Sequence, residues 1–152
     1  MLDTIVLSRV SLNMKTNDKS LAYTLLRIAL GINFAGHGLI RIYNGVGTFA
    51  TATAEHLAKS PLPHSLTFGF SYAIPFIEAI LGLVLILGIF TRAALVSGAV
   101  FMMALTIGVA SNQQWDIAGQ QLLYSVVLFL LLYLIEHNVL SIDTYLHHSS
   151  IQ

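Results

Sequence analysis

Residues 66–90 read LTFGFSYAIPFIEAILGLVLILGIF, and after only Thr91-Arg92 the apolar text resumes as AALVSGAVFMMALTIGVA over residues 93–110. A bilayer core of about 30 Å asks for roughly 20 mainly apolar residues per helix, and both stretches meet that demand. Two intervening residues leave room only for a tight reversal, so the pair reads as an antiparallel hairpin of spanning helices. Working outward, the same test selects residues 21–43 before the hairpin and 117–135 after it. The last two spans are separated by Ser111-Asn112-Gln113-Gln114-Trp115-Asp116. The predicted fold is therefore all-α, an integral membrane four-helix antiparallel bundle.

The first connection, residues 44–65, is the one long loop. Within it, residues 48–59 carry weakly periodic apolar positions at Phe49, Ala52 and Leu57, and Pro61 and Pro63 end the stretch. An ordered loop and a short interfacial helix between spans 1 and 2 both satisfy it. No internal repeat or low-complexity tract is visible.

Composition agrees with the membrane reading. Of 152 residues 56% are hydrophobic and only 9% charged, where a soluble domain carries about 25% charged residues. The mean hydropathy is +0.78. Seven Lys/Arg balance seven Asp/Glu, so no basic field exists to hold nucleic acid. Cysteine is absent, which excludes disulfides, thiolate metal sites, iron–sulfur ligation and any dithiol relay run by this chain.

Residues 1–19 read as a polar lead with at most one interfacial turn at residues 5–7, not as a signal peptide. Residues 20–143 form the membrane domain and residues 144–152 a tail. Arg9, Lys15, Lys19 and Arg92 fall on one side of the bilayer, against Arg41 and Lys59 on the other. The positive-inside rule then puts both termini in the cytoplasm.

Charges at mid-span cost at least about 2.5–3.5 kcal/mol, yet Arg27, His37 and Glu78 lie within spans. At about 100° per residue, Arg27, Asn33, His37 and Arg41 share one side of the first helix, with Gly31 and Gly38 beside them. Ser71, Pro75, Glu78 and Gly82 line one face of the second. Small residues permit close backbone approach, and Pro75 frees a carbonyl that needs a protein or water partner. Both stripes are thus expected to face inward.

Counted from the cytoplasmic ends, Arg27 sits near about 10 Å, Glu78 near about 18 Å and His37 near about 24 Å. Glu78 is expected to pair with Arg27 from below and to approach His37 above. Arg41, Trp115, Asp116, Gln113, Gln114, Gln120, Gln121 and Tyr124 gather in the outer half. They outline a polar pocket open to the outer side. The plainer alternative is a buried ion pair that fixes helix register, a satisfied interhelical histidine, and interfacial anchors at Trp115 and the glutamines.

Specific chemistries narrow the field. A bis-histidine haem needs ligands at matching depth, and only His37 is inside a span. The tail pair His147-His148 has no third metal ligand, and the Glu and Glu-x-x-His pairs of a di-iron site are missing. No metal site and no intrinsic cofactor is expected. A neutral amphipathic ligand such as a quinone would suit what remains. His37 and Glu78 would be the catalytic groups that supply donors and a proton. Arg27, Asn33, Arg41, Trp115, Gln121 and Tyr124 would be the ligand-binding residues, with Phe34 and Phe76 beside the ring.

These residues also carry a family resemblance. The first span, LLRIALGINFAGHGLIR, places Arg27, Gly31, Phe34, Gly38 and Arg41 in a pattern that resembles the opening of DoxX-like (DoxX/DoxD) integral membrane proteins. Residues 49–63 look like that family's alanine-rich connection with its proline pair. Pro75, Glu78, Gly82, Leu87, Gly88, Thr91 and Arg92 match its P..E...G....LG..TR segment. Trp115-Asp116 and Leu140-Ser141-Ile142-Asp143 are similar to further family features. The resemblance spans about residues 20–143. It implies a four-helix bundle in a prokaryotic cytoplasmic (inner) membrane. It also implies a link to redox complexes, since the family takes its name from a small subunit of a thiosulfate:quinone oxidoreductase. The absence of cysteine sets the chain apart from relatives that use thiol chemistry.

Three functions stay open on the sequence. One is a membrane subunit that passes electrons to quinone from a soluble or membrane redox partner. Another is a non-catalytic anchor or assembly subunit for a soluble partner. The third is a small-solute or proton carrier, which would require a homo-oligomer.

Overall fold

The computed structural model describes the backbone of residues 2–149 and the side chains of residues 18–146. The Arg9 and Lys15 charges, on which part of the predicted orientation rests, and the His147-His148 pair lie outside the described side chains. Every regular element among the described residues is helical: α1 Leu2–Tyr43, α2 Val46–His56, α3 His64–Leu87, α4 Thr91–Ser111, α5 Trp115–Tyr133 and α6 Ile142–Ser149, with a 3-10 turn at Ile135–His137. Among the described residues, four segments are long and apolar enough to cross a membrane: Asp18–Tyr43, His64–Leu87, Thr91–Ser111 and Trp115–Tyr133. Leu25, Ile32, Ile80, Met103, Leu123 and Phe129 are exposed around the outside, as lipid contact requires. The chain is an all-α, multi-pass membrane bundle.

The bundle has two ends. The near end holds the α3–α4 turn and the segment after α5, while the far end holds α2 and the α4–α5 turn. α1 is one continuous helix from Leu2, so the lead expected to hold at most an isolated turn extends the first span instead. The ambiguous connection folds as helix α2, which buries Ala50 and Ala54 against its neighbours.

α1 and α3 pack backbone to backbone. A Cβ on Gly82 would meet the backbone of Ala35 and lie 2.6 Å from Gly31 O, and one on Gly38 would lie 2.9 Å from Ala79 Cα. Only glycine permits that approach. The contacts also fix a register: Gly31 opposes Ile86, Ala35 opposes Gly82, and Gly38 opposes Ala79 and Pro75. α4 packs chiefly on α5, and α1 touches α5 sparingly.

At the near end, α3 stops at Gly88, whose φ of 67° is left-handed and whose N–H donates to Val84 O. Phe90 precedes α4, also at a positive φ, 48°. The C-terminal segment folds back over this reversal. Asp143 accepts from the Phe90 N–H at 2.7 Å and the Thr91 N–H at 2.8 Å. Its own N–H donates to Gly88 O at 3.0 Å. A carboxylate on two free amides at a helix start satisfies groups that the helix cannot bond itself. At the far end, Asn112 Nδ2 donates to His56 O at 2.7 Å and ties the α4–α5 turn to α2.

Candidate functional site

A cavity of about 170 Å³ lies in the far half of the bundle, between α1, α3, α4 and α5. Asn33, His37 and Arg41 line it from α1, Glu78 from α3, and Gln120, Gln121 and Tyr124 from α5. Phe34, Met102, Leu105 and Ile117 supply its apolar walls. The sparing contact of α1 with α5 leaves its flank open, where Asn33, His37 and Gln120 are exposed.

Arg41 forms an ion pair with Glu78, with side chains 29% and 8% exposed. Its guanidinium carbon also lies 4.6 Å from the centre of the Phe49 ring, a cation–π contact from α2. Tyr124 Oη donates to Asn33 Oδ1 at 3.0 Å. The Tyr124 ring stands 6.0 Å from that of Phe34. Gln121 Oε1 is buried in the same cavity and has no hydrogen-bond partner among the described residues.

The expected Arg27–Glu78 pair does not form. The α1–α3 register sets Glu78 beside residues 37–39 of α1, so Arg27 lies about eleven residues away, or about 16 Å at about 1.5 Å per residue. Side-chain direction reinforces the separation. Helical side chains lean toward the helix N-terminus, which sends Arg27 to the near end and Arg41 down toward Glu78. Glu78, on antiparallel α3, leans up to meet Arg41.

Arg27, only 2% exposed, is part of the near-end clasp instead. Its NH1 donates to Asn138 Oδ1 at 3.0 Å and its NH2 to Leu140 O at 2.8 Å. Asn138 Nδ2 in turn donates to Thr91 Oγ1 at 3.1 Å. Gly88 leaves room for the guanidinium, since a Cβ there would lie 2.8 Å from Arg27 Cζ. Trp115 is likewise not in the cavity: it opens α5 with 66% exposure, as an interfacial indole would. Of the expected site residues, Glu78, His37, Asn33, Arg41, Gln121 and Tyr124 are brought together, and Arg27 and Trp115 are not.

Sequence reasoning assigned no role to Phe49, Asn138 or the Asp143 carboxylate. An aromatic in a connecting helix and an amide beyond the last span show no periodicity that would mark them. No group of three or more His, Cys, Asp or Glu that could hold a metal exists among the described residues.

A four-helix membrane bundle with an ion-paired carboxylate and an amide-rich cavity in one half defines the class of this protein. The DoxX family model matches residues 22–111, and the chain belongs to the DoxX family. The match takes in α2, α3, α4 and the Arg41–Glu78 pair, and ends where α5 is about to supply Gln121 and Tyr124. No curated protein and no solved structure matched the chain.

Proposed function

We propose that this protein is the small membrane subunit of a quinone-linked redox complex, with the quinone head group held in the far-half cavity. One observation carries the reading: Gln121 Oε1 is a buried acceptor without a partner, in a cavity that also holds a carboxylate, a guanidinium, an imidazole and a phenol. An unmade hydrogen bond to a buried acceptor costs about 1–3 kcal/mol, and the hydroxyl of a reduced quinone would satisfy it. The residues fit such a head group: donors at Arg41 and His37, acceptors at Gln121 and Glu78, and a Phe34–Tyr124 wall.

When bound, a quinone supplies two-electron, two-proton chemistry, and the electrons would come from a redox centre on a partner protein. This chain's own residues bind and orient. Arg41 balances the Glu78 charge so that both remain in a low-dielectric setting, and Phe49 fixes the guanidinium. His37, on the open flank, carries an imidazole that can both donate and accept and is suited to exchange protons with the exterior. The setting is a prokaryotic cytoplasmic membrane, with the near end and both termini on the cytoplasmic side.

The test is the quinone content of protein purified in mild detergent, extracted and quantified by mass spectrometry, for wild type, Gln121→Met and His37→Ala. Near-stoichiometric quinone in wild type that is lost in the variants supports the reading. Background quinone in all three would overturn it and favour the anchor role, which partner capture would then address.

A further inference from the structure

A second cavity, of about 280 Å³, opens between the far halves of α3 and α4 beneath α2. Leu57, Leu66, Phe70, Ile74, Leu105 and Gly108 are among the residues that line it. It offers almost nothing polar, since the Thr67 hydroxyl is turned back onto its own helix at His64 O, 2.9 Å away. Pure hydrocarbon chemistry is what such a wedge can hold.

Its position makes it more than a lipid-facing crevice. Leu105 of α4 lines this wedge on one side and the polar cavity on the other. One flexible aliphatic side chain thus belongs to the walls of both the head-group site and the apolar trough. One turn along the same face, Gly108 carries no side chain, and a Cβ there would meet no atom within 4 Å. The wedge owes part of its space to that glycine.

We propose that the wedge is the tail site for the ligand of the polar cavity, with a polyprenyl chain passing Leu105 between α3 and α4. This deepens the quinone reading and rests on it. Leu105 is then a positioning residue that decides whether head and tail sites are continuous. The chain binds long-tailed quinones in preference to the bare ring, because the tail makes packing contacts in the wedge that the ring alone cannot make.

The experiment titrates a polyprenyl-tailed benzoquinone and its tailless parent into purified protein at fixed detergent concentration. Quinone retained on the immobilised protein at each concentration, quantified after extraction, reports binding. The proteins are wild type, Gly108→Ala, Gly108→Phe and Glu78→Gln. Gly108→Phe fills the wedge, and is expected to weaken the tailed quinone at least tenfold while leaving the tailless ring unchanged. Gly108→Ala should leave both as in wild type, and Glu78→Gln should weaken both. If Gly108→Phe is poorly folded by its melting temperature, the smaller Gly108→Leu carries the same comparison. Unchanged affinity for the tailed quinone in the filled variant overturns the tail site and leaves the head-group reading standing. Release of a co-purifying phospholipid with unchanged quinone affinity does the same, and assigns the wedge to an acyl chain. Failure of both quinones to bind wild type overturns the head-group reading itself, and the tail site with it.

Discussion

Arg41 of α1 reaches down to the Glu78 carboxylate of α3 while its guanidinium lies over the Phe49 ring of α2. Three elements thus meet on one cation at the mouth of the polar cavity. The pair is partly wet on the arginine side, which moderates the cost of breaking it.

Removing the carboxylate should therefore destabilise the bundle in proportion to the hydrogen bonding that is lost. Glu78→Ala is expected to cost on the order of 2 kcal/mol, and Glu78→Gln about half as much, because glutamine still accepts from Arg41. Thermal unfolding in detergent reads the difference. Equal melting temperatures for the two variants would mean that the pair does not hold the helices.

Gln121 should behave in the opposite sense. Its unpartnered carbonyl oxygen is a debt in the ligand-free protein. Gln121→Met keeps the length and removes that oxygen, so the melting temperature should rise, by a stabilisation of about 1 kcal/mol. Quinone retention should fall in the same variant. A melting temperature that drops would show the amide to be structural.

Acid should loosen the near end before the rest. Burial pushes the Asp143 carboxyl up, but the hydrogen bonds from Thr91 and Phe90 and the Arg27 charge outweigh it and leave it below the ordinary aspartate value. A native value below the unfolded one contributes stability in full above the unfolded value of about 3.9, and loses it as pH falls through the native value. Amide protection at Phe90 and Thr91 should decline below about pH 4 in wild type. It should be low and pH-independent in Asp143→Asn. Protection that persists in Asp143→Asn would remove the carboxylate from the cap.

The glycine contacts of α1 and α3 predict a sharp contrast between two conservative changes. Gly82→Ala forces its methyl into the backbone of Ala35 and should cost more than about 2 kcal/mol, since neither helix can yield locally. Gly108→Ala meets open space and should be neutral or slightly stabilising through helix propensity. Yield of monodisperse protein and melting temperature measure both. Comparable behaviour of the two would contradict the register drawn from Gly31, Ala35 and Gly38.

Much of this architecture is legible in the sequence because hydrocarbon enforces a simple rule of length and polarity. The spans fall within three residues of their predicted limits, but the α3–α4 reversal lies at Gly88–Phe90, and Thr91-Arg92, where the sequence places it, open α4 instead. Cost in a membrane and helical phase mark His37, Asn33, Arg41 and Glu78, and depth in the outer half marks Gln121 and Tyr124. Phase and depth alone misassigned Arg27, because neither encodes the lean of side chains toward a helix N-terminus, which decides between two arginines on one stripe. The Arg27–Asn138–Thr91 clasp was invisible for another reason: it depends on the chain folding back after Tyr133, a tertiary event with no local signature. Trp115 was drawn into the site by proximity in sequence to polar neighbours, whereas its indole faces outward.

The near-end clasp has a mechanical consequence. α1 with α3 and α4 with α5 are two stiff pairs, joined at one end by the Gly88–Phe90 reversal and the Asn138 and Asp143 bonds. The other end, where α1 and α5 meet sparingly, has among the described residues no comparable fastening between the pairs beyond the ties through α2 and the Tyr124–Asn33 bond. Such an assembly works as a clothes-peg, with its spring at the near end and its jaws around the cavity. Stiffening the spring, rather than reshaping the jaws, is then the lever by which the grip on any guest would be tuned.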